Sequence, residues 1–275
     1  VDAGTYKVNT SEMNKTDTTY WWEVSVTDST GNVRTKVFKF TTLPEVPWLD
    51  AQWMYRKELL INYTLVDENL LNYPVLVNFD SDSDLAAHVA QADGGDIVFT
   101  DSVGNQLSHE IELFEKDTGR LIAWVNVSQI SSSVDTLICL YYGNELCDDQ
   151  QDPEGTWDSN YIMVHHMEES DDILDYTSNE LNGTNMGTNS DENGMIGQCR
   201  FFDDTSDHYN FGNSSLLNPQ LDSWTISMWT NISHIDPYHQ LFRKYSSEGG
   251  FMLYLYDGGG TTKFNYFTIN DGIDS

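Results

Sequence analysis

The stretch from Gly94 to Asn144, GGDIVFTDSVGNQLSHEIELFEKDTGRLIAWVNVSQISSSVDTLICLYYGN, constrains the chain most. Ile97 and Phe99 alternate with polar neighbours up to a turn at Val103–Asn105. Leu107, Ile111 and Leu113 carry the alternation to a second turn, KDTGR, at Lys116–Arg120. Leu121, Ala123, Val125 and Val127 follow, opposed by Ile122 and Trp124. After a break at Ser131–Ser133, Val134, Ile138, Leu140 and Tyr142 close the set. A period of two between Gly- and Asn-bearing turns predicts four strands in an antiparallel meander. The third and fourth are apolar on both faces, which places them in the middle of a sandwich rather than at a wet edge.

The same pattern extends to both sides. Leu59, Ile61 and Tyr63 predict one strand, and Val75, Val77 and Phe79 the next. SDSDLAAHVAQADGG predicts a helix over Asp84–Ala92, with Ser83 as N-cap, Gly94 as stop and His88 as a packed or exposed helix residue. Nearer the start, Tyr20, Trp22, Val24 and Val26 alternate, DSTGN turns at Asp28–Asn32, and Val37, Phe38 and Phe40 follow. That is one β-hairpin, and a lone hairpin is marginal in water. LPEVPWLDAQ (Leu43–Gln52) carries two prolines and reads as a stiff linker. With 275 residues the chain has room for one large or two to three small domains. The expected fold is all-β, as tandem β-sandwich modules: a hairpin over 1–43, a linker over 44–52, a central sandwich over 53–150 and a further module over 151–275.

GGDIVFTD, the Glu-Ile-Glu strand, AWVNV and YYGN, preceded by QWMYRKELLI and NYPVLVNF, resemble a family of uncharacterised β-domains in microbial surface proteins. The resemblance runs from about Trp53 to Asn144. Members of that family often precede a laminin-G-like (concanavalin A-like) domain, and some lie beside biopolymer-transport proteins; the family has no established activity. Residues 1–43 are similar to the last two strands of a fibronectin type III-like domain, with Tyr20 in the tyrosine-corner role. Val164-His-His-Met-Glu, Asp175–Thr184, the strand from Gly197 and Thr225-Ile-Ser-Met-Trp229 resemble a laminin-G-like jelly roll. These resemblances imply that the first and last modules are incomplete and that the chain is a processed product or a window on a longer polypeptide.

A formal charge of −31 and a pI near 4.1 argue against nucleic acid, which is bound through clustered Lys and Arg. An acidic surface suits divalent cations, a salty medium or plain solubility. No apolar run approaches the roughly 18 residues of a membrane span. Cys139, Cys147 and Cys199 are too few for a disulfide scaffold and lack zinc spacing; Cys139 and Cys199 suit core packing, and a Cys139–Cys147 bridge stays open. Sequons at Asn9, Asn14, Asn62, Asn126, Asn182, Asn213 and Asn231 support a secreted glycoprotein.

Four groups of residues could carry chemistry. Resemblance to jelly rolls that hold calcium in a DYTSNELNGT-type loop implies Asp175, Asn179 and Asn182 as ligands of a structural Ca2+. Calcium takes six to eight oxygens, so these three would need help, and an Asn/Asp/Gly turn satisfying its own backbone is the simpler account. HEIELFE (His109–Glu115) resembles the E-I-D-x-x-E strand of laminarinase-type glycosidases, with Glu110 and Glu115 as nucleophile and acid/base. Retaining chemistry needs carboxyls about 5–5.5 Å apart. Glu110 and Glu112 share a face at roughly 7 Å, whereas Glu110 and Glu115 oppose each other unless a bulge intervenes. His165 and His166, adjacent on a strand, would face opposite ways and so not share a metal, which favours structural roles. Aromatic residues near the first linker and on the late strands could stack on sugars or fill cores.

The expectation is a non-enzymatic extracellular structural or adhesive surface protein, a building block of a surface layer, sheath or filament. Its partners would be other copies of itself or surface glycans. A carbohydrate-binding lectin module is the alternative, and a glycoside hydrolase using Glu110 and Glu115 the third.

Overall fold

A computed structural model of the chain describes Lys15 and residues 18–42, 46–167, 172–191, 194–203, 206–218, 224–233, 239–246, 249–257 and 262–269. The fold is all-β, with antiparallel sheets and, among the described residues, only two short α-helices.

Strands β1 (Thr19–Thr27) and β2 (Val33–Thr41) form a two-stranded ribbon in register from Thr19↔Thr41 to Thr27↔Val33. Asp28 closes its turn: Oδ1 accepts the N–H groups of Thr30 and Asn32, both at 2.9 Å. The DSVGN turn repeats this chemistry, with Asp101 Oδ1 accepting from Val103 and Asn105 at 2.9 Å. Such Asx turns are why Asp leads both pentapeptides.

The central sandwich is built from β3 (Tyr55–Ile61), β4 (Leu70–Phe79), α1 (Ser83–His88), β5 (Val98–Asp101), β6 (Gln106–Leu107), β7 (His109–Glu115), β8 (Arg120–Ile130) and β9 (Thr136–Tyr142). One sheet runs β3-β9-β5-β6 and the other β4-β8-β7. The strands expected as a meander therefore divide between two layers. β7 and β8 stay a hairpin, while β9 crosses over to pair with both β3 and β5. Alternation reports which face a residue takes, not which strand lies beside it, and both sheets use the same inner face. The apolar strands β8 and β9 do lie in the middle of their sheets.

Between the sheets, Ile97, Phe99, Ile138, Leu140 and Tyr142 meet Val77, Leu121, Ala123, Val125 and Val127, with Leu85 and Val89 closing one end. Full burial of each such side chain contributes about 1.5–3 kcal/mol.

Three local expectations are corrected. The helix is shorter, and its N-cap is Asp82 rather than Ser83: the Asp82 carboxylate accepts from Asp84 and Leu85 N–H. It stops before Ala90 because the Ala90 and Gln91 N–H groups donate instead to the buried carboxylate of Asp96, at 2.8 Å each. Asp96 also accepts the Gly143 N–H at 2.9 Å, which joins GGDIVF to YYGN. Val134 is an exposed loop residue, because Ser131 Oγ turns the chain by accepting from Ser133 and Val134 N–H. Tyr63 lies beyond β3 in a short 3-10 turn.

Gly119, at φ +67°, is required at the β7–β8 tip, since a Cβ there would come within 1.9 Å of the Asp82 carbonyl.

Beyond β9 come α2 (Pro153–Thr156), β10 (Asp172–Ile173), β11 (Gly183–Met186), β12 (Asn189–Asp191), β13 (Cys199–Phe201), β14 (His208–Asn210), β15 (His239–Ser246), β16 (Gly249–Asp257) and β17 (Thr262–Ile269). They form the sheets β10-β11-β14, β12-β13 and β15-β16-β17. All three cysteines are free, so there is no Cys139–Cys147 bridge. Among the described residues, no helix is long and apolar enough to cross a membrane.

Candidate functional site

The inner face of the sandwich makes the core; its two outer faces are covered by the segments that lead into it and out of it.

On the β3-β9-β5 side, Val98, Leu137, Cys139 and Tyr141 point outward from the core and need cover. Val46 and Trp53, at the ends of the expected linker, pack on them. Polar groups fix the cover: Arg56 Nη1 donates to the Val46 carbonyl (3.0 Å) and Tyr141 Oη to the Pro47 carbonyl (3.0 Å). The Arg56 guanidinium lies 5.0 Å over the Trp48 ring, a cation–π contact that holds the Trp48 ring in place. The proline segment is thus laid along the sheet rather than spanning open solvent.

The β4-β8-β7 side is closed by charge. In β7, His109 and Ile111 face inward while Glu110 and Glu112 face outward. A bulge between Ile111 and Leu113 shifts the register, so that Phe114 rather than Leu113 packs on the core. The chain returns across this face at QDPEG. Asp152 N–H donates to the His109 carbonyl (2.8 Å) and Asp152 Oδ2 accepts from Ser108 Oγ (2.7 Å). Ile111 N–H donates to Gln151 Oε1 (2.8 Å), and Asn126 Nδ2 donates to the Gly155 carbonyl (2.9 Å). These contacts lay α2 across β7 and β8 and deliver Trp157, whose Nε1 donates to Glu110 Oε2 (2.6 Å). Trp124 Nε1 donates to Glu112 Oε2 (2.8 Å).

His166 completes the cluster. Its Nε2 lies 2.8 Å from Glu110 Oε1 and its Nδ1 3.2 Å from Glu112 Oε2. All three side chains are almost fully buried, at 5%, 1% and 4% relative exposure for His166, Glu110 and Glu112. A neutral imidazole has a single N–H, so two acceptors facing its two nitrogens require the imidazolium. Burial by itself lowers the His166 pKa, but the hydrogen bonds and attraction of Glu110 and Glu112 outweigh it and push the group up to about 10. Tyr176 lies 4.6 Å from the imidazole, ring centre to ring centre, and Trp124, Trp157 and Tyr161 follow one another beside it in tilted and edge-on contacts. Gly197 closes over Glu112: at φ +57°, a Cβ there would meet Glu112 Oε1 at 2.3 Å.

The residues expected to bind calcium hold His166 in place. Asp175 Oδ1 accepts from Val164 and Thr177 N–H (2.9 and 3.1 Å), and Oδ2 from Thr177 Oγ1 and Leu181 N–H (2.9 and 2.8 Å). Asn182 Oδ1 accepts the Asp175 N–H (2.8 Å), and Asn179 Nδ2 donates to the Tyr161 and Ile162 carbonyls (3.3 and 3.0 Å). As folded, Asp175 and Asn182 turn their side-chain oxygens onto backbone and hydroxyl donors, the bonding of an Asx turn. Among the described residues, no three of His, Cys, Asp and Glu are grouped to hold a metal ion.

Glu115 sits apart from Glu110, at the hairpin tip, paired with Arg120 (3.1 Å) and Thr118 (3.0 Å). His165 takes surroundings of its own: Nδ1 is 2.7 Å from the Leu174 carbonyl, the ring packs on Phe211, and burial lowers its pKa. His88 bonds Asp84 (2.8 Å) and stacks on Tyr55. Glu168 and Glu169 lie outside the described residues, as do Asn9 and Asn14. Asn62, Asn182, Asn213 and Asn231 are exposed; Asn126 is half-buried, and the Nδ2 that would carry a glycan is the atom bonded to Gly155.

Sequence reasoning placed Glu110 and Glu112 on one face and gave His166 a structural part, but it did not join them. The signal was there in one respect: two carboxylates on the outward face of an otherwise apolar strand need a cation if that face is covered.

Residues 93–227 match the model of a family described as a domain of unknown function (DUF2341). The match begins after β3 and β4, crosses the boundary expected at 150/151, and includes Glu110, Glu112, Trp124, Trp157, His166 and Gly197. No curated protein and no solved structure matches the chain.

Proposed function

We propose that this chain is a non-enzymatic extracellular structural or adhesive surface protein, a building block of a surface layer, sheath or filament in a microbial envelope. The observation that carries this reading is the double cover of the sandwich. One outer face is sealed by the incoming segment through Val46 and Trp53, the other by the outgoing segment through Glu110, Glu112 and His166. A module gripped on both faces transmits orientation and load to its neighbours, which a flexible tether does not. In this reading the neighbours are the end of a fibronectin type III-like module and a laminin-G-like module, and exposed sequons carry glycans.

A carbohydrate-binding role is the second reading, favoured by the open rings of Trp21, Trp22 and Trp48. One experiment separates the readings: incubate the protein with a panel of soluble and insoluble polysaccharides, following retention and sugar release, and measure its mass by light scattering. The structural reading expects self-association without retention or release. Retention on a glycan would favour the lectin. Sugar release by the wild type would end the structural reading, and its loss in a Glu110→Gln variant that keeps the wild-type thermal midpoint would assign the hydrolysis to Glu110.

A further inference from the structure

The edge strand β3 runs directly into the sequon Asn62-Tyr63-Thr64. The Asn62 side chain caps the 3-10 turn over Tyr63–Leu65: Oδ1 accepts from Thr64 N–H (2.9 Å) and from Thr64 Oγ1 (2.8 Å). Asn62 is exposed and, among the described residues, its Nδ2 has no hydrogen-bond partner. Tyr63 N–H donates to Asp135 Oδ1 (3.0 Å), which ties the turn to the loop before β9. This end of the sandwich is apolar as well as open: Leu60, Tyr63, Leu65 and Val134 are 52%, 40%, 83% and 62% exposed. Exposed apolar side chains are ordinary when scattered, but a group of them along one turn and the loop bonded to it marks a surface that something covers. A helix cap accounts for the bonds of Oδ1; it accounts neither for the free amide nitrogen nor for its apolar rim.

The other described sequons are built differently. Asn126 Nδ2 is bonded to the Gly155 carbonyl. Asn182 Oδ1 accepts from Asp175 N–H, and Asn213 Oδ1 from Lys244 Nζ (2.7 Å). Among the described sequons, only at Asn62 does Oδ1 accept from the hydroxyl residue two places on, so that the whole tripeptide forms one exposed turn. We propose that Asn62 carries an N-linked glycan and that this glycan covers Leu60, Tyr63, Leu65 and Val134. The donor class is a sugar joined through pyrophosphate to a lipid. Nδ2 attacks the anomeric carbon, the bond from that carbon to the pyrophosphate oxygen breaks, the lipid pyrophosphate leaves with the electron pair, and Nδ2 gives up a proton. Oδ1 keeps its place in the cap, so the modification leaves the turn intact. At Asn126 the same step would remove the bond to Gly155 that lays α2 across β8. The proposal rests on the extracellular reading above and deepens it by naming the sequon used and the surface its sugar protects.

The test is peptide mapping by mass spectrometry of the full chain, secreted by a host that attaches N-linked glycans. The expected result is a glycan on the Asn62 peptide in most molecules and none on the Asn126 peptide. Thr64→Ala keeps the backbone N–H that Asn62 caps and should lose that glycan alone. Lacking it, the variant should bind more of a fluorescent dye for apolar surface than the wild type. The difference should vanish once an amidase has stripped both proteins, which leaves an aspartate at position 62 of each. A bare Asn62 peptide, equal modification of Asn126 in the folded product, or a dye difference that survives the amidase would overturn the proposal. Glycans on other sequons beside a bare Asn62 would overturn it alone and leave the structural reading to its own test of retention and sugar release.

Discussion

The two covers of the sandwich do the same job with different chemistry. At the β3-β9-β5 face, Val46 and Trp53 seal an apolar surface and Arg56 lies over the exposed ring of Trp48. At the β4-β8-β7 face, an imidazolium between two carboxylates is buried under tryptophans. Apolar burial is indifferent to pH and adapts by small shifts. A buried ion cluster is neither: intact, it is close to neutral in free energy against a hydrophobic replacement, but broken, it leaves an unpaired charge that is expensive. The first cover adheres; the second fixes register, because His166 fits only where both carboxylates reach it.

The largest way to break the comparison is His166→Ala, which leaves Glu110 and Glu112 unpaired. It should cost about 3–5 kcal/mol at pH 6, read from the denaturant midpoint. Trp53→Ala on the other cover should cost about 3 kcal/mol, towards the low end for a buried tryptophan. Their pH dependence separates them. A folded pKa of about 10 for His166 against an ordinary 6.5 means that the folded state holds a proton the unfolded chain has released. Its contribution is complete below pH 6.5 and fades as pH rises to 10, so the His166→Ala deficit should shrink over that window. The Trp53→Ala deficit should stay level across it.

The acid side is sharpened by His109, one residue before Glu110 but on the inner face. Burial pushes its pKa down to about 4 from 6.5. Here the unfolded chain takes up the proton first, so stability falls as pH drops from 6.5 to 4, by at most about 1.4 kcal/mol per pH unit. His109→Phe should remove that part of the acid limb and leave the alkaline limb intact in a pH series of thermal midpoints. The smallest effect belongs to Glu115→Gln. Its partner Arg120 is a surface cation, and the variant should stay within about 0.5 kcal/mol of wild type. A Glu115 effect rivalling that of His166 would erase the distinction between buried and exposed carboxylates.

The contrast also explains what the sequence could tell. Period-two alternation identified β8 and β9 as central strands, because a strand buried on both faces must be apolar on both. It did not assign them to sheets, since pairing depends on the return path of the chain. The helix was overextended because Asp96, six residues beyond Ala90, competes for the N–H groups that helix continuation would use. The apolar cover was half legible: Trp53 reads as the first residue of the central sandwich and Val46 as part of a linker, and only tertiary structure brings both onto Val98 and Tyr141. The ionic cover was the least legible, because His166 and Glu110 are 56 residues apart and no spacing rule connects them. Asp175, Asn179 and Asn182 were singled out by their chemistry, and the same hydrogen-bonding capacity that suggests calcium is what braces the segment carrying His166.

The most direct test of the ionic cover is the nitrogen NMR spectrum of the His166 side chain as a function of pH. Protons on both ring nitrogens at pH 8, with one of them lost only near pH 10, are the predicted result. A single-proton imidazole at pH 8 that titrates near 6.5 would contradict the account, because Glu110 and Glu112 would then not be holding His166 between them.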